Sequence, residues 1–509
     1  MNPSGWSERA LTISVFIIGA IYGACISFYS GQDVNWDWQN YHDYTAWAFL
    51  NWRYSIDVHP AGIQSFLNPL ISLPGFLLNT LFPRPLGGVL LGAIQGTALG
   101  LVWVIARQFS RSASFAVLSV AAAASGPMLL TEMGTSFPDL LGAIPVLVGV
   151  FLLFSRHGEN GRSTLWAGVW IGVAVGLKLS NAPYAFGAIA ACGLFQKGGP
   201  SSLLRLGAGG VLGGTIATGP WCLYLWHRFG NPVFPFYNGI FRSPDGPAGN
   251  ISDPRFLPEG LSEFLLYPIY ILLGQYPTAE IPFADPRYAM LGVMVLFTAG
   301  AIARSGFGIF EPRDRQLFLF FAVSWIVWLM MFAIQRYVVV LEMLAGLVIL
   351  LILLRTVRLW QPFAVLSLVL VLWGSARADW GHFPWAHPYD PDTRALGLEQ
   401  PATFFILGEP LAYLARHLPP GSRFVSISAS SSMPIPENGE AERRILNYLA
   451  NPLSGGTWSI SYDQPQQTAL MHRFGLLPTL QECRSIAGVG PAIYFCPISH
   501  DVTGRINPQ

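Results

Sequence analysis

Apolar runs close to the roughly 20 residues needed to span a bilayer recur from Leu11 to Gly374. They are continuous, not alternating, so they are helical. Only helices or closed barrels satisfy every backbone group in lipid. Composition agrees. The 509 residues are 52% hydrophobic and only 11% charged, against about 25% charged in a soluble protein. The expected fold is an all-α polytopic membrane protein. With 29 basic and 28 acidic side chains the net charge is +1, which argues against a nucleic-acid partner. The N-terminus has a charged start and an apolar run but no small-x-small cleavage site before the acidic stretch that follows. It reads as a retained first helix.

Eleven spans are expected: 11–30, 86–105, 114–130, 140–154, 165–177, 182–195, 206–226, 288–303, 317–334, 338–354 and 362–374. The positive-inside rule orients them. Arg107, Arg111, Arg156, Arg162, Lys197, Arg304, Arg313, Arg315, Arg355 and Arg358 then all fall on the inner side. A large first outer loop spans 31–85. Its apolar piece Gly62–Phe82 carries Pro69 and Pro74, so it reads as re-entrant or interfacial, as does FLLYPIYILLG between the seventh and eighth spans. Residues 1–377 form the membrane domain. Residues 378–509, rich in Pro, Ser and Gly, form a C-terminal outer soluble domain of α/β or irregular type. There Cys483 and Cys496 flank RSIAGVGPAIYF and would pair in an oxidising compartment. Cys25, Cys192 and Cys222 lie within spans and read as packing residues.

The first loop concentrates the chemistry. Between Gly31 and Pro60 stand Asp33, Asp37, Asp43 and Asp57, with His42 and His59 among four tryptophans and three tyrosines. The aromatics alone suit an interfacial belt; four carboxylates in so uncharged a chain suggest a site. Glu132 and Asp139 reach the same outer side, as do Lys178 and Arg336. Carboxylates beside cations at membrane depth suit a lipid phosphate: the cations bind its oxygens through charge-assisted hydrogen bonds. A carboxylate deprotonates an acceptor hydroxyl or holds a divalent cation, Mg²⁺ or Mn²⁺. Plainer readings stand beside these. Lys178 and Arg336 also fit snorkelling helix-end cations. Asp139, after Pro138, fits a helix-dipole partner. The histidines fit hydrogen-bonded interfacial residues. Paired-histidine metal motifs, phosphate-cradling glycine loops and serine-nucleophile elbows are absent from the sequence.

DWQNYHDYTAWAFLNWRYS, directly after the first span, resembles the first-loop pattern of the GT-C superfamily of integral-membrane glycosyltransferases. That superfamily includes protein O-mannosyltransferases, lipid A aminoarabinose transferases and oligosaccharyltransferases. The resemblance covers roughly residues 1–377 in layout. It implies a catalytic aspartate at Asp37, with Asp33 the competing position. It implies a second-loop acidic residue at Asp139 in FPDLL; from the residues themselves, Glu132 and His42 join Asp139 as candidate acceptor or metal residues. Arg336 and Tyr337 are similar to the arginine segment that many members place near the donor phosphate, and Lys178 joins them. The implied reaction moves a sugar from a polyprenyl-phosphate donor, with inversion, to a glycan or lipid acceptor at the outer face of a bacterial inner membrane. The chain departs from the pattern at His59-Pro60-Ala61, where relatives carry a basic residue before two prolines, and it has no WWDYG-like signature. A transporter or flippase of lipid-linked sugars is the alternative. It predicts charges inside spans, of which Glu342 is the main one.

Overall fold

The computed structural model describes residues 3–155, 161–195, 199–251, 253–274, 278–386, 389–428, 433–465, 468–488 and 490–500. Arg156 and Lys197, counted above on the inner side, lie outside them. By contact the chain divides into two compact units. The first comprises Met1–Ser30, Leu81–Pro220 and Asp253–Trp380; the second comprises Gly31–Thr80, Trp221–Ser252 and Gly381–Gln509. The first outer loop thus groups with the C-terminal residues, not with the helices that flank it in sequence.

The first unit is helical. Each of the eleven expected spans falls on helix, among them Pro3–Ser30, Asp139–Phe154, Arg162–Leu177 and Val339–Thr356. Boundaries shift by a few residues. The third is interrupted: helix Ala113–Ala124 ends at Ser125-Gly126, and Pro127–Glu132 restarts. Among the described residues, five helical segments are long and apolar enough to cross a membrane: Glu8–Ser30, Leu86–Phe109, Arg287–Arg304, Pro312–Met331 and Gln335–Thr356. Helix Val339–Thr356 is apolar all round between Glu342 and Arg355 and buried along most of its length, which makes it the core of the unit.

Lipid offers no hydrophobic drive for helices to associate, so close backbone approach has to do that work. Glycines supply it. Gly19 and Gly23 on Pro3–Ser30 lie against Gly92 and Gly96 on Leu86–Gly96. A Cβ on Gly23 would overlap the Gly92 carbonyl, and one on Gly96 would overlap that of Gly19. Gly168 and Gly172 on Arg162–Leu177 meet Pro200–Phe229 in the same way: a Cβ on Gly172 would overlap the Gly210 carbonyl, and one on Gly213 that of Val169.

The second unit is built on a sheet. Strands β1 (Gln32–Asp33) and β2 (His382–Phe383) pair antiparallel. The main sheet contains β3 (Thr403–Ile406), β4 (Arg423–Ser426), β5 (Thr457–Ser461), β6 (Leu476–Pro478), β7 (Arg484–Ala487) and β8 (Ala492–His500), in the order β4-β3-β5-β8-β6, with β7 also on β8. β4, β3 and β5 are parallel; β5, β6 and β7 run antiparallel to β8. The C-terminal residues, expected to be α/β or irregular, thus contain strands. Cys483 and Cys496 are joined by a disulfide. Of the other cysteines Cys192 is buried, Cys222 half-buried and Cys25 exposed. The apolar loop piece forms short 3-10 turns, Gly62–Phe66 and Pro69–Ile71, then helix Leu73–Leu81.

Candidate functional site

Three chain reversals in the first unit deliver a charged cluster. Asp139 opens helix Asp139–Phe154 after Pro138, with no side-chain cap. The turn before it is pinned by Gln95, whose amide accepts from Gly134 N at 2.6 Å and donates to Thr135 O at 3.1 Å. Lys178 is extended between helix Arg162–Leu177 and the turn Leu179–Asn181. Arg336 lies in the 3-10 turn Gln335–Val338. Four side chains hold that turn: Tyr267 donates to Ala333 O at 2.6 Å, Trp328 to Ile334 O at 2.9 Å, Tyr184 to Tyr337 O at 2.7 Å and Thr278 to Gln335 Oε1 at 3.0 Å.

Lys178 Nζ donates to Asp139 Oδ1 at 2.6 Å. Arg336 stands 3.9 Å from Asp139 Oδ2 and 3.0 Å from Glu280 Oε1. The Tyr337 ring serves both cations: Lys178 Nζ is 4.5 Å and the Arg336 guanidinium 5.2 Å from its centroid, and the guanidinium also lies 4.9 Å from the Phe137 ring. Lys178 and Arg336 therefore turn into the protein, which the snorkelling reading does not provide for. Asp139 does stand at a helix N-terminus, yet its carboxylate is engaged by cations, so the dipole is a contributor and not its whole role. Burial pulls Lys178 below its ordinary pKa, although Asp139 opposes it. Glu132 is wholly buried, and both its oxygens lack a hydrogen-bond partner among the described residues. Burial first, then the charge of Asp139, raises its pKa well above the ordinary glutamate value, although Lys178 and Arg336 oppose this.

Glu342 accepts from Met128 N at 3.1 Å and Leu129 N at 3.0 Å. It caps the helix that restarts at Pro127, a structural task that removes the main support for a transporter.

The four first-loop aspartates, grouped above as one site, separate by role in the second unit. Asp57 takes both Arg53 bonds, at 3.0 and 2.7 Å, and that of Phe424 N at 3.1 Å. Asp43 pairs with Arg416 at 2.9 Å; burial raises it to about 6 despite that partner. Both attach the loop to the C-terminal residues. Asp33 Oδ1 accepts from Asn35 N at 3.1 Å and Nδ2 at 2.6 Å, and Asn35 Oδ1 accepts from Trp38 N at 2.8 Å. This chain of bonds starts the next helix. Asp37 is only half-buried and accepts from Tyr41 OH at 2.9 Å. It directly precedes the π-turn Trp38–His42, a distortion frequent at functional sites. His42 Nδ1 lies 2.8 Å from Ser72 Oγ. Asn40, in the same turn, is wholly buried, and its amide lacks a partner among the described residues. Nothing in the sequence marks Asn40 except its place inside the acidic stretch. Among the described residues no three His, Cys, Asp or Glu side chains group as a metal site.

His59, at the family departure, adopts a left-handed φ of 47°. It lines a cleft with Arg228, Asp245, Glu440 and Arg444. Burial, then the charge of Arg228, lowers its pKa from 6.5 to about 3. The unfolded chain therefore takes up a proton near pH 6.5 that the folded chain refuses until about pH 3. Stability from this group is complete above 6.5 and falls as pH drops through that window, by at most about 1.4 kcal/mol per pH unit. His417, lowered to about 4, adds in the same direction; Asp43, raised, opposes it. The difference between wild type and His59→Gln isolates this group. The wild-type Tm is expected to fall more steeply from pH 6.5 to 4.5, and parallel pH curves would refute this.

A profile of glycosyltransferase family 87 matches residues 66–254, a segment that includes Glu132, Asp139 and Lys178. No curated protein matches the chain. Among solved structures the chain is similar to ArnT from Cupriavidus metallidurans, determined bound to undecaprenyl phosphate. The TM-score is 0.51 at 13% identity, covering 100% of both chains. Recurrent apolar helices and this likeness together make the chain a multi-pass membrane protein with the fold of the GT-C membrane glycosyltransferases.

Proposed function

We propose that this chain is a glycosyltransferase of a bacterial inner membrane. It moves a hexosyl or pentosyl group from a polyprenyl-phosphate donor to a glycan or lipid acceptor at the periplasmic face. The observation that carries the reading is the convergence of Lys178, Arg336 and Tyr337 around Asp139, in a fold shared with a protein that binds undecaprenyl phosphate. In the proposed step Asp37 takes the proton of the acceptor hydroxyl, with Asp33 as the competing base. The hydroxyl oxygen bonds to the anomeric carbon as the carbon–oxygen bond to phosphate breaks. Charge builds on the departing phosphate, where Arg336 and Lys178 stabilise it. Asp139 fixes the two cations, and Glu132 and His42 serve the acceptor. A divalent cation, Mg²⁺ or Mn²⁺, is part of the proposal to be tested.

The test is sugar transfer by purified protein in lipid from a panel of radiolabelled polyprenyl-phosphate sugars, with Mg²⁺, with Mn²⁺ or with EDTA. Transfer from one donor is the expected result. Loss in EDTA assigns the cation, and full activity there removes it. Carrier-lipid movement across vesicles without transfer from any donor would replace this reading with a flippase.

A further inference from the structure

Arg336 already has two carboxylates, and they differ in kind. Asp139 is 3% exposed and is also held by Lys178. Glu280 is 29% exposed and touches Arg336 from a segment tied to the same turn, where Gln335 N donates to Thr278 O at 2.8 Å. Arg255, paired with the exposed Asp253, is near enough to sense the charge of Glu280. Glu280 thus stands where the buried cluster meets a further, exposed set of charges, and it is the partner of Arg336 that solvent can take back. A partly exposed ion pair is worth about 1 kcal/mol or less. A phosphate that accepts a bidentate guanidinium contact outcompetes it.

The proposed reaction gives this exchange a use. The donor is a phosphodiester with one negative charge. The departing polyprenyl phosphate is a monoester with up to two. A site built of Arg336 and Lys178 therefore holds its product more tightly than its donor. Resting on the proposed function, we infer that Glu280 is a displaceable counter-ion of Arg336, which yields to the lipid phosphate during transfer and reclaims Arg336 as the product leaves.

The experiment measures binding of undecaprenyl phosphate to the full chain in neutral-lipid nanodiscs, for wild type, Glu280→Gln, Arg336→Gln and the double variant. Glutamine keeps a hydrogen bond to Arg336 and removes only the charge. Glu280→Gln is expected to bind about 5-fold tighter, the effect of one partly exposed ion pair. Its steady-state turnover is expected to slow, because the product leaves later. Arg336→Gln weakens binding, and in that background Glu280→Gln has no further effect. If Glu280→Gln binds more weakly or equally while Arg336→Gln weakens binding, Glu280 only positions Arg336 and the inference is overturned. If Arg336→Gln binds as wild type does, the donor-phosphate assignment itself fails.

Discussion

Asp37→Asn is expected to lower sugar transfer by at least about 100-fold, the range for loss of a positioned base, with the melting temperature unchanged. Asparagine is isosteric, and its carbonyl still accepts from Tyr41 OH, the bond that Asp37 makes at 2.9 Å. Asp37 is half-buried, whereas Asp43 and Asp57 are buried against Arg416 and Arg53. Transfer and thermal unfolding measured on the same preparation separate catalysis from folding. Asp33→Asn is the control, because Asp33 Oδ1 accepts two bonds from Asn35. An active Asp37→Asn beside an inactive Asp33→Asn would hand the role of base to Asp33.

Gly172→Leu is expected to prevent accumulation of folded protein. A Cβ there overlaps the Gly210 carbonyl, and backbone, unlike a flexible side chain, has nowhere to retreat. Overpacking a tight contact costs about 3 kcal/mol or more, and here the whole contact between Arg162–Leu177 and Pro200–Phe229 must open. Gly207→Leu, on the second of these helices, meets nothing within 4 Å; it is expected to give wild-type yield. Monodisperse protein recovered by size exclusion reads both. Normal recovery of Gly172→Leu would show that the two helices do not need this approach.

The helices were legible because lipid forces apolar runs to satisfy their own backbones, and that demand is local. Asp139, Lys178 and Arg336 were legible for a related reason: in a chain with so few charges, one beside an apolar run stands out. The glycine contacts went unread: Gly19 and Gly23 stand four apart, as do Gly92 and Gly96, but spacing alone does not name the opposite helix. Asp43 misled because its partner, Arg416, lies 373 residues further on; Asp57 did so although Arg53, its charged partner, is only four residues before it, since nothing in the spacing showed that the pair is buried under Phe424. Glu280 gave no local signal. It sits between two apolar segments with no pattern around it, and only the fold of the 333–337 turn brings it to Arg336.

The pairing of the first loop with the C-terminal sheet also sets an order of events at the ribosome. Asp57 accepts from Phe424 N, 367 residues later in the chain, and Val58 bridges to Val425. At about 5–20 residues per second, roughly 20–70 s separate synthesis of the two. Throughout that interval the acidic loop has been made and its sheet has not. A chain released early would carry Asp37 on a loop without its scaffold. Completion of translation thus acts as the step that licenses this loop, and nascent chains should become protease-resistant between residues 31 and 80 only after residue 425 has emerged.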